Sequence, residues 1–107
     1  MLIRTDHAAH WGTEAYFHEH PFLTGQAAVR LAERGATLVG IDSLNIDDTS
    51  GGERPAHSTL LRAGIPVVEH LCNLDQLPAD GFRFSAAPVA VRGMGTFPVR
   101  AYAVLPT

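Results

Sequence analysis

An apolar segment near the middle of the chain constrains the fold most. Residues 37–42, Thr-Leu-Val-Gly-Ile-Asp, form a near-continuous apolar run that ends in an acid. This pattern is typical of a buried parallel strand whose carboxyl end leads into a functional loop. The polar residues 43–55 fit such a loop, because long loops inside compact domains are often functional.

Helices are predicted on either side of this strand. Thr24 can cap a helix that runs to about Arg34, where Gly35 gives a stop. A shorter helix is predicted for residues 57–63, ended by Gly64. Further strands are predicted at residues 1–5, 65–71, 82–91 and 99–104. The order strand, helix, strand, helix, strand indicates an α/β protein, and we expect a single domain over residues 1–107.

The composition limits the class of protein. Apolar residues make up 46% of the 107, which is ordinary for one globular domain with a modest core. The net charge of −3 provides no basic surface for nucleic acid, and the apolar runs are too short to span a membrane. With no signal region of the usual length after Met1, we expect a cytoplasmic protein. The single Cys72 excludes an internal disulfide, and beside an apolar strand we expect its thiol to be buried and inert.

One histidine and one glutamate are candidates for a metal site. His57 begins the second predicted helix, and Glu69 lies twelve positions later in the following strand. A neutral imidazole and a carboxylate both suit zinc, manganese or iron. His70 follows Glu69 directly, and on a strand the two side chains point to opposite faces, so one ion is not expected to take both. The alternative is that His57 flanks a helix and Glu69 is a solvated strand-end residue.

Two other polar clusters have a functional and a structural interpretation. The loop after Ile41 could orient a ligand histidine from outside the first coordination sphere, or simply form turns and helix caps. It contains Asp42, Ser43, Asn45, Asp47 and Asp48. The N-terminal histidines could act as a metal carrier, or pack among the aromatic residues around them. They are His7, His10, His18 and His20.

Several of these segments, taken in order, resemble the C-terminal half of the cyclase family of metal-dependent hydrolases, which includes arylformamidases. The resemblance covers nearly the whole chain and keeps the family order. The matching stretches are Leu2–Thr5, Tyr16-Phe17…His20-Pro21, Leu31–Gly35, Val39–Asp42, Arg54–His57…Leu60-Leu61, Ile65–Glu69, Asn73-Leu74 and Phe97–Ala101.

The resemblance implies a fold and a chemistry. The expected fold is part of a swivelling β/β/α arrangement, with a mostly parallel central sheet and helices on one side. The family hydrolyses N-formyl arylamines or similar amides with metal-activated water, using zinc or manganese. His57 and Glu69 match family metal ligands, which selects Glu69 over His70. Asp42, Ser43 and Asn45 would orient the metal ligands from outside the coordination sphere or position the substrate.

The chain also departs from the family. Members are roughly twice as long and carry an N-terminal signature, His-x-Gly-Thr-His-x-Asp-x-Pro-x-His, that supplies further ligands and an acid/base histidine. Here His10-x-Gly12-Thr13-Glu14 imitates its opening and His20 falls at the spacing of its final histidine. Glu14, Tyr16 and His18 replace the histidine, aspartate and proline between them, so we interpret the imitation as coincidence. The resemblance therefore predicts an incomplete site, completed in a homo-oligomer or by a complementing chain. The alternative is a non-catalytic remnant that serves as an oligomerisation or small-molecule-binding module.

Overall fold

The computed structural model describes all 107 residues, and they form two compact units, Met1–Asp75 and Gln76–Thr107. The expectation of one domain over residues 1–107 stays a prediction. No helix in the chain is both long enough and apolar enough to cross a membrane.

The first unit contains a three-stranded parallel sheet and two helices. The elements are β1 (Leu2–Ile3), α1 (Gly25–Glu33), β2 (Val39–Ile41), α2 (Pro55–Arg62) and β3 (Val67–Val68). The strands lie in the order β1-β2-β3, with Leu2 opposite Gly40 and Val39 opposite Val67. This arrangement confirms the predicted α/β class and the parallel sheet. Short 3-10 turns occur at His7–His10 and Glu14–Phe17, and a third, Leu74–Gln76, begins in this unit and ends at the first residue of the second.

Both helices cover the same face of the sheet. Val39 and Ile41 alternate onto one face of β2, where they join a buried cluster with Ala28 of α1 and with Ala56 and Leu60 of α2. The opposite face of β2 has Gly40, which leaves room for neighbouring leucine side chains. The core therefore sits between the central strand and the two helices, as the apolar run predicted.

The helix starts are stabilised in two different ways. At α1 the predicted cap is confirmed, because the Thr24 hydroxyl accepts a hydrogen bond from the Ala27 N–H. At α2 the residue before the helix is Arg54, whose side chain cannot accept a hydrogen bond. Pro55 occupies the first turn, where its missing N–H costs nothing. The remaining free N–H groups of this turn need an acceptor from elsewhere in the chain.

The strands of the first unit are shorter than predicted. β1 ends at Ile3 because the N–H groups of Thr5 and Asp6 donate to the Asp42 carboxylate rather than to a neighbouring strand. β3 ends at Val68, shortly before His70 adopts a left-handed conformation with φ of 59°. After β1 the Asp42 carboxylate replaces the expected strand pairing, whereas after β3 the N–H groups of His70 and Leu71 still donate to the carbonyl oxygens of Ser43 and Ile41.

The prediction of a buried thiol at Cys72 is wrong, since the residue is exposed. After β3, His70 and Asn73 both have positive φ values, so the period-2 alternation of a strand does not extend to this position. Leu71 and Leu74 are buried on either side of the cysteine. The chain thus turns the thiol outward while it buries the flanking leucines.

The second unit is an antiparallel hairpin. It consists of β4 (Arg83–Ala87) and β5 (Arg100–Val104), with Phe84 opposite Ala103 and Ser85 opposite Tyr102. Both strands fall within the predicted ranges, although β4 ends earlier than residue 91. A two-stranded hairpin has little stability of its own and needs a further packing surface.

Candidate metal centre

The structure brings the two predicted metal ligands together. Nε2 of His57 lies 3.6 Å from Oε2 of Glu69. The imidazole is 12% exposed and the carboxylate side chain 22% exposed, so both groups are largely shielded and still accessible. This separation is beyond hydrogen-bonding range, so the two groups lie close together without a direct hydrogen bond.

Local structure explains why two residues so far apart in the chain meet. His57 lies in the first turn of α2, and Glu69 follows the last residue of β3. α2 crosses over from β2 to β3, so its first turn and the end of β3 both lie at the carboxyl edge of the parallel sheet. Ligand sites of open α/β sheets lie at this edge.

Asp47 is the residue that holds His57. Its Oδ1 accepts the Ala56 N–H at 2.7 Å, and its Oδ2 accepts the His57 N–H at 2.9 Å. The same Oδ2 lies 2.8 Å from Nδ1 of the His57 ring. The carboxylate therefore supplies the acceptors that α2 lacks and fixes one edge of the imidazole.

The environment of Asp47 favours its charged form. Burial alone would raise the pKa of this carboxyl group, since its side chain is only 2% exposed. The hydrogen bonds from the His57 and Ala56 backbone, followed by the contact with the His57 ring, outweigh burial and lower the pKa. Asp47 is thus an ionised acceptor near neutral pH.

Glu69 is held by the residue next to Asp47. The Ile46 N–H donates to Oε2 of Glu69 at 2.6 Å. The Ile46 side chain is fully buried in the core cluster, which anchors this N–H group in place. Adjacent residues of one loop therefore position both members of the candidate pair.

Arg54 places a positive group beside the pair. Its Nη2 lies 3.1 Å from Nε2 and 3.2 Å from Nδ1 of His57. Because Nη2 is nearly equidistant from two nitrogens of one ring, we infer that the guanidinium lies over the ring face. The side chain of Arg54 is exposed, so it can swing into solvent without disturbing the core.

The loop residues predicted to support the site make different contacts. Asp42 is buried and accepts hydrogen bonds from the Thr5 N–H and hydroxyl and from the Asp6 N–H, so it binds the end of β1. Ser43 is buried and donates to the carbonyl oxygen of Pro21 at 2.7 Å. Roles for Asp42 and Ser43 in orienting metal ligands or positioning the substrate stay predictions.

Asn45 lies closer to the candidate pair. Its Oδ1 accepts the Asp47 N–H at 2.9 Å, which connects it through Asp47 to His57. Asp47 itself was only one of several acids that the sequence placed in this loop. Its specific role could have been suspected from α2, whose N-terminal turn begins after an arginine and so requires an acceptor from elsewhere.

His70 belongs to a different cluster. Its Nδ1 lies 2.9 Å from the hydroxyl of buried Tyr16, and its N–H donates to the Ser43 carbonyl. Burial, followed by the charges of Asp42 and Glu69, raises the pKa of the Tyr16 hydroxyl. The imidazole is thus directed toward Tyr16, whereas the neighbouring Glu69 is directed toward His57.

The N-terminal histidines do not share a single site. Nε2 of buried His7 lies 2.8 Å from the Tyr16 carbonyl oxygen, and His18 pairs with exposed Glu14. His20 contacts the Thr49 hydroxyl. Across the whole chain, no group of three or more histidine, cysteine or acidic side chains is arranged to hold a metal ion. His57 and Glu69 are therefore a pair of candidate donors and not a complete set of metal ligands.

Sequence comparison relates the chain to known proteins. The Cyclase family model matches residues 1–48. The kynurenine formamidase of Bordetella avium is 35% identical over 103 residues, which cover 94% of this chain and 47% of that protein. The kynurenine formamidase of Bacillus cytotoxicus is 30% identical over 101 residues with the same coverage. The chain spans about half the length of the curated relatives it matches.

Solved structures show the same relationship. An isatin hydrolase bound to the product analogue thioisatinate superposes with a TM-score of 0.86 and 30% identity, covering 99% of this chain and 45% of that one. A protein described as a potential metal-dependent hydrolase with cyclase activity gives a TM-score of 0.65 and 29% identity, covering 94% of this chain and 56% of that one. The predicted family resemblance and the predicted cyclase-like fold are both confirmed.

Proposed function

Because this chain is a cyclase-family relative that spans about half the length of the proteins it matches, we propose that it carries part of the metal centre of an amide hydrolase. In this proposal His57 and Glu69 hold a divalent cation, zinc or manganese. The substrate is an N-formyl arylamine or a similar small amide. The protein acts in the cytoplasm, which cell fractionation can measure.

The observation that carries the proposal is the approach of His57 Nε2 to Glu69 Oε2 at 3.6 Å. An imidazole nitrogen and a carboxylate oxygen form a donor set that suits a borderline divalent ion. Glu69 receives its hydrogen bond from Ile46 on Oε2, which leaves Oε1 free of that contact. The residues present therefore fit a metal ion on chemical grounds.

The chain's own residues supply positioning and electrostatics. His57 presents a ring nitrogen whose direction is set by Asp47, and Glu69 presents a carboxylate whose charge balances a cation. When bound, a divalent cation lowers the pKa of a water molecule and polarises a carbonyl oxygen. Arg54 lies close enough to attract an anionic group that approaches the pair.

Two protein ligands do not complete a metal site, because catalytic zinc usually has three. We propose that the remaining ligands come from a second copy of the chain or from a complementing chain. The relatives support this proposal, since this chain covers only 47% of each. In the second unit, several large apolar side chains are exposed and could be covered by such a partner, among them Tyr102, Val104 and Leu105.

The first experiment measures metal binding by the purified chain. Titration with zinc or manganese should show one ion per site, and both His57→Ala and Glu69→Gln should abolish this binding. The matched control is His18→Ala, which removes an exposed histidine paired with Glu14. Binding that survives His57→Ala but is lost when His18 and His20 are replaced would point to a metal carrier and overturn the proposal.

The second experiment measures hydrolysis of an N-formyl arylamine. We expect turnover only when the chain is supplemented with a fragment that contains the other half of a matched kynurenine formamidase. Turnover by the chain alone would contradict the view that its site is incomplete. If the chain binds metal but hydrolyses the substrate neither alone nor with the added fragment, it is a non-catalytic module.

A further inference from the structure

We infer that Asp47 is a positioning residue that fixes the His57 imidazole in one tautomer, with the proton on Nδ1 and the lone pair of Nε2 facing Glu69. The inference deepens the proposed function, since it concerns the same pair of residues and states how one loop prepares them. It rests on hydrogen-bond geometry within the chain itself.

Two hydrogen bonds fix the orientation of the Asp47 carboxylate. Both oxygens of Asp47 accept backbone N–H groups of α2, from Ala56 at 2.7 Å and from His57 at 2.9 Å. Two such bonds prevent the carboxylate from rotating. Its side chain is also 2% exposed, so water cannot readily replace either contact. Oδ2 is therefore a fixed acceptor beside the His57 ring.

The proton of the His57 ring is assigned by the same geometry. Both oxygens of Asp47 already accept backbone N–H groups, so Oδ2 is an acceptor and its contact of 2.8 Å with Nδ1 requires the proton on Nδ1. The competing arrangement would place the proton on Nε2, pointing toward Glu69. That contact is 3.6 Å, which is too long for a hydrogen bond. Asp47 therefore outcompetes Glu69, and Nε2 keeps its lone pair.

Glu69 is positioned by the residue before Asp47, because the Ile46 N–H donates to its carboxylate at 2.6 Å. The Ile46 side chain is fully buried, so the chain segment that holds Glu69 and His57 is anchored in the core. The dipeptide Ile46-Asp47 therefore sets the lone pair of His57 and the carboxylate of Glu69 toward each other before any ligand arrives. Such outer contacts typically change metal affinity by about 10–100-fold.

The test uses the ¹⁵N-labelled full chain, first without metal. Long-range ¹H–¹⁵N spectra distinguish the two neutral tautomers of His57, and we expect the Nδ1–H form in the wild type. In Asp47→Asn a single acceptor oxygen faces three donors, the backbone N–H groups of Ala56 and His57 and the ring Nδ1–H of His57. The Nε2–H form should therefore become the main one. Asp48→Asn is the matched control, because exposed Asp48 receives the Ser50 N–H and does not contact His57.

The same variants are then titrated with zinc alone. Asp47→Asn should weaken binding by about 10–100-fold, whereas Asp48→Asn should change it by less than about twofold. A wild-type His57 in the Nε2–H form would overturn the inference even if Asp47→Asn failed to fold. Unchanged tautomer signals in Asp47→Asn would also overturn it. If the wild type shows the Nδ1–H form but binds no zinc, the proposed metal site fails and the positioning role stands.

Discussion

Nε2 of His57 and Oε2 of Glu69 lie 3.6 Å apart, and each residue makes its closest polar contact with a different neighbour. His57 is held by Asp47 on Nδ1, and Glu69 is held by the Ile46 N–H. The pair is therefore prepared by the loop between β2 and α2 and does not depend on a direct hydrogen bond. This arrangement leaves Nε2 of His57 and the second carboxylate oxygen of Glu69, Oε1, free of these two contacts.

Replacing Asp47 by Asn should reveal an acid-dependent contribution to stability. The folded-state pKa of Asp47 lies below its unfolded value of about 3.9. At pH values around and between these two pKa values the unfolded chain binds more protons than the folded chain, so stability rises with pH. The contribution is present near neutral pH and is lost as the pH falls below about 4. Urea unfolding of wild type and Asp47→Asn from neutral to acid pH measures it, and a constant difference between them would contradict the assignment.

Replacing Tyr16 by Phe should reveal the opposite dependence at alkaline pH. Burial and nearby carboxylates raise the folded-state pKa of Tyr16 above its ordinary value of about 10. Above that pH the folded state binds more protons than the unfolded chain, so stability falls as the pH rises. Tyr16→Phe should make this fall less steep in thermal unfolding. Tyr102→Phe, which removes an exposed phenol from the second unit, is the matched control.

Replacing Gly40 by Ala should destabilise the first unit. The added Cβ would lie 2.8 Å from Cδ2 of Leu2 and 2.8 Å from Cδ1 of Leu71, so both leucines would have to move. Overpacking of this kind typically costs about 1–3 kcal/mol. Urea unfolding measures the loss. The control is Gly51→Ala, since no atom lies within 4 Å of its added Cβ. Equal stability of the two variants would show that the leucines adjust freely.

Replacing Asp42 by Asn separates a structural role from a role in the site. Asp42 accepts three hydrogen bonds from Thr5 and Asp6 through both oxygens, and an amide cannot accept all of them. Leaving one of these partly buried donors unpaired should lower the free energy of unfolding by about 1 kcal/mol. Zinc titration of the folded variant should give wild-type affinity. Normal stability with weakened zinc binding would instead support the role in the site that the sequence predicted.

The sequence was sufficient to predict the order of elements in the first unit. The apolar run that contains Val39 and Ile41 predicted the buried central strand, and Thr24 predicted the start of α1. These signals are local, because a strand buried on both faces shows as a short apolar run and a helix cap shows as a single residue type at the helix start. Strand ends were predicted less well, since Asp42 diverts the N–H groups that follow β1 through a contact between distant parts of the chain.

The sequence by itself determined which residue types could bind a metal, His57 and Glu69, and which family the chain resembles. Only the tertiary structure decided that these side chains face each other, that His70 is directed toward Tyr16, and that Cys72 is exposed. It alone identified Asp47 among the acids of its loop as the partner of His57. The physical reason is that hydrogen bonds across the carboxyl edge of the sheet depend on how the elements pack, and residue spacing in one sequence does not encode that packing directly.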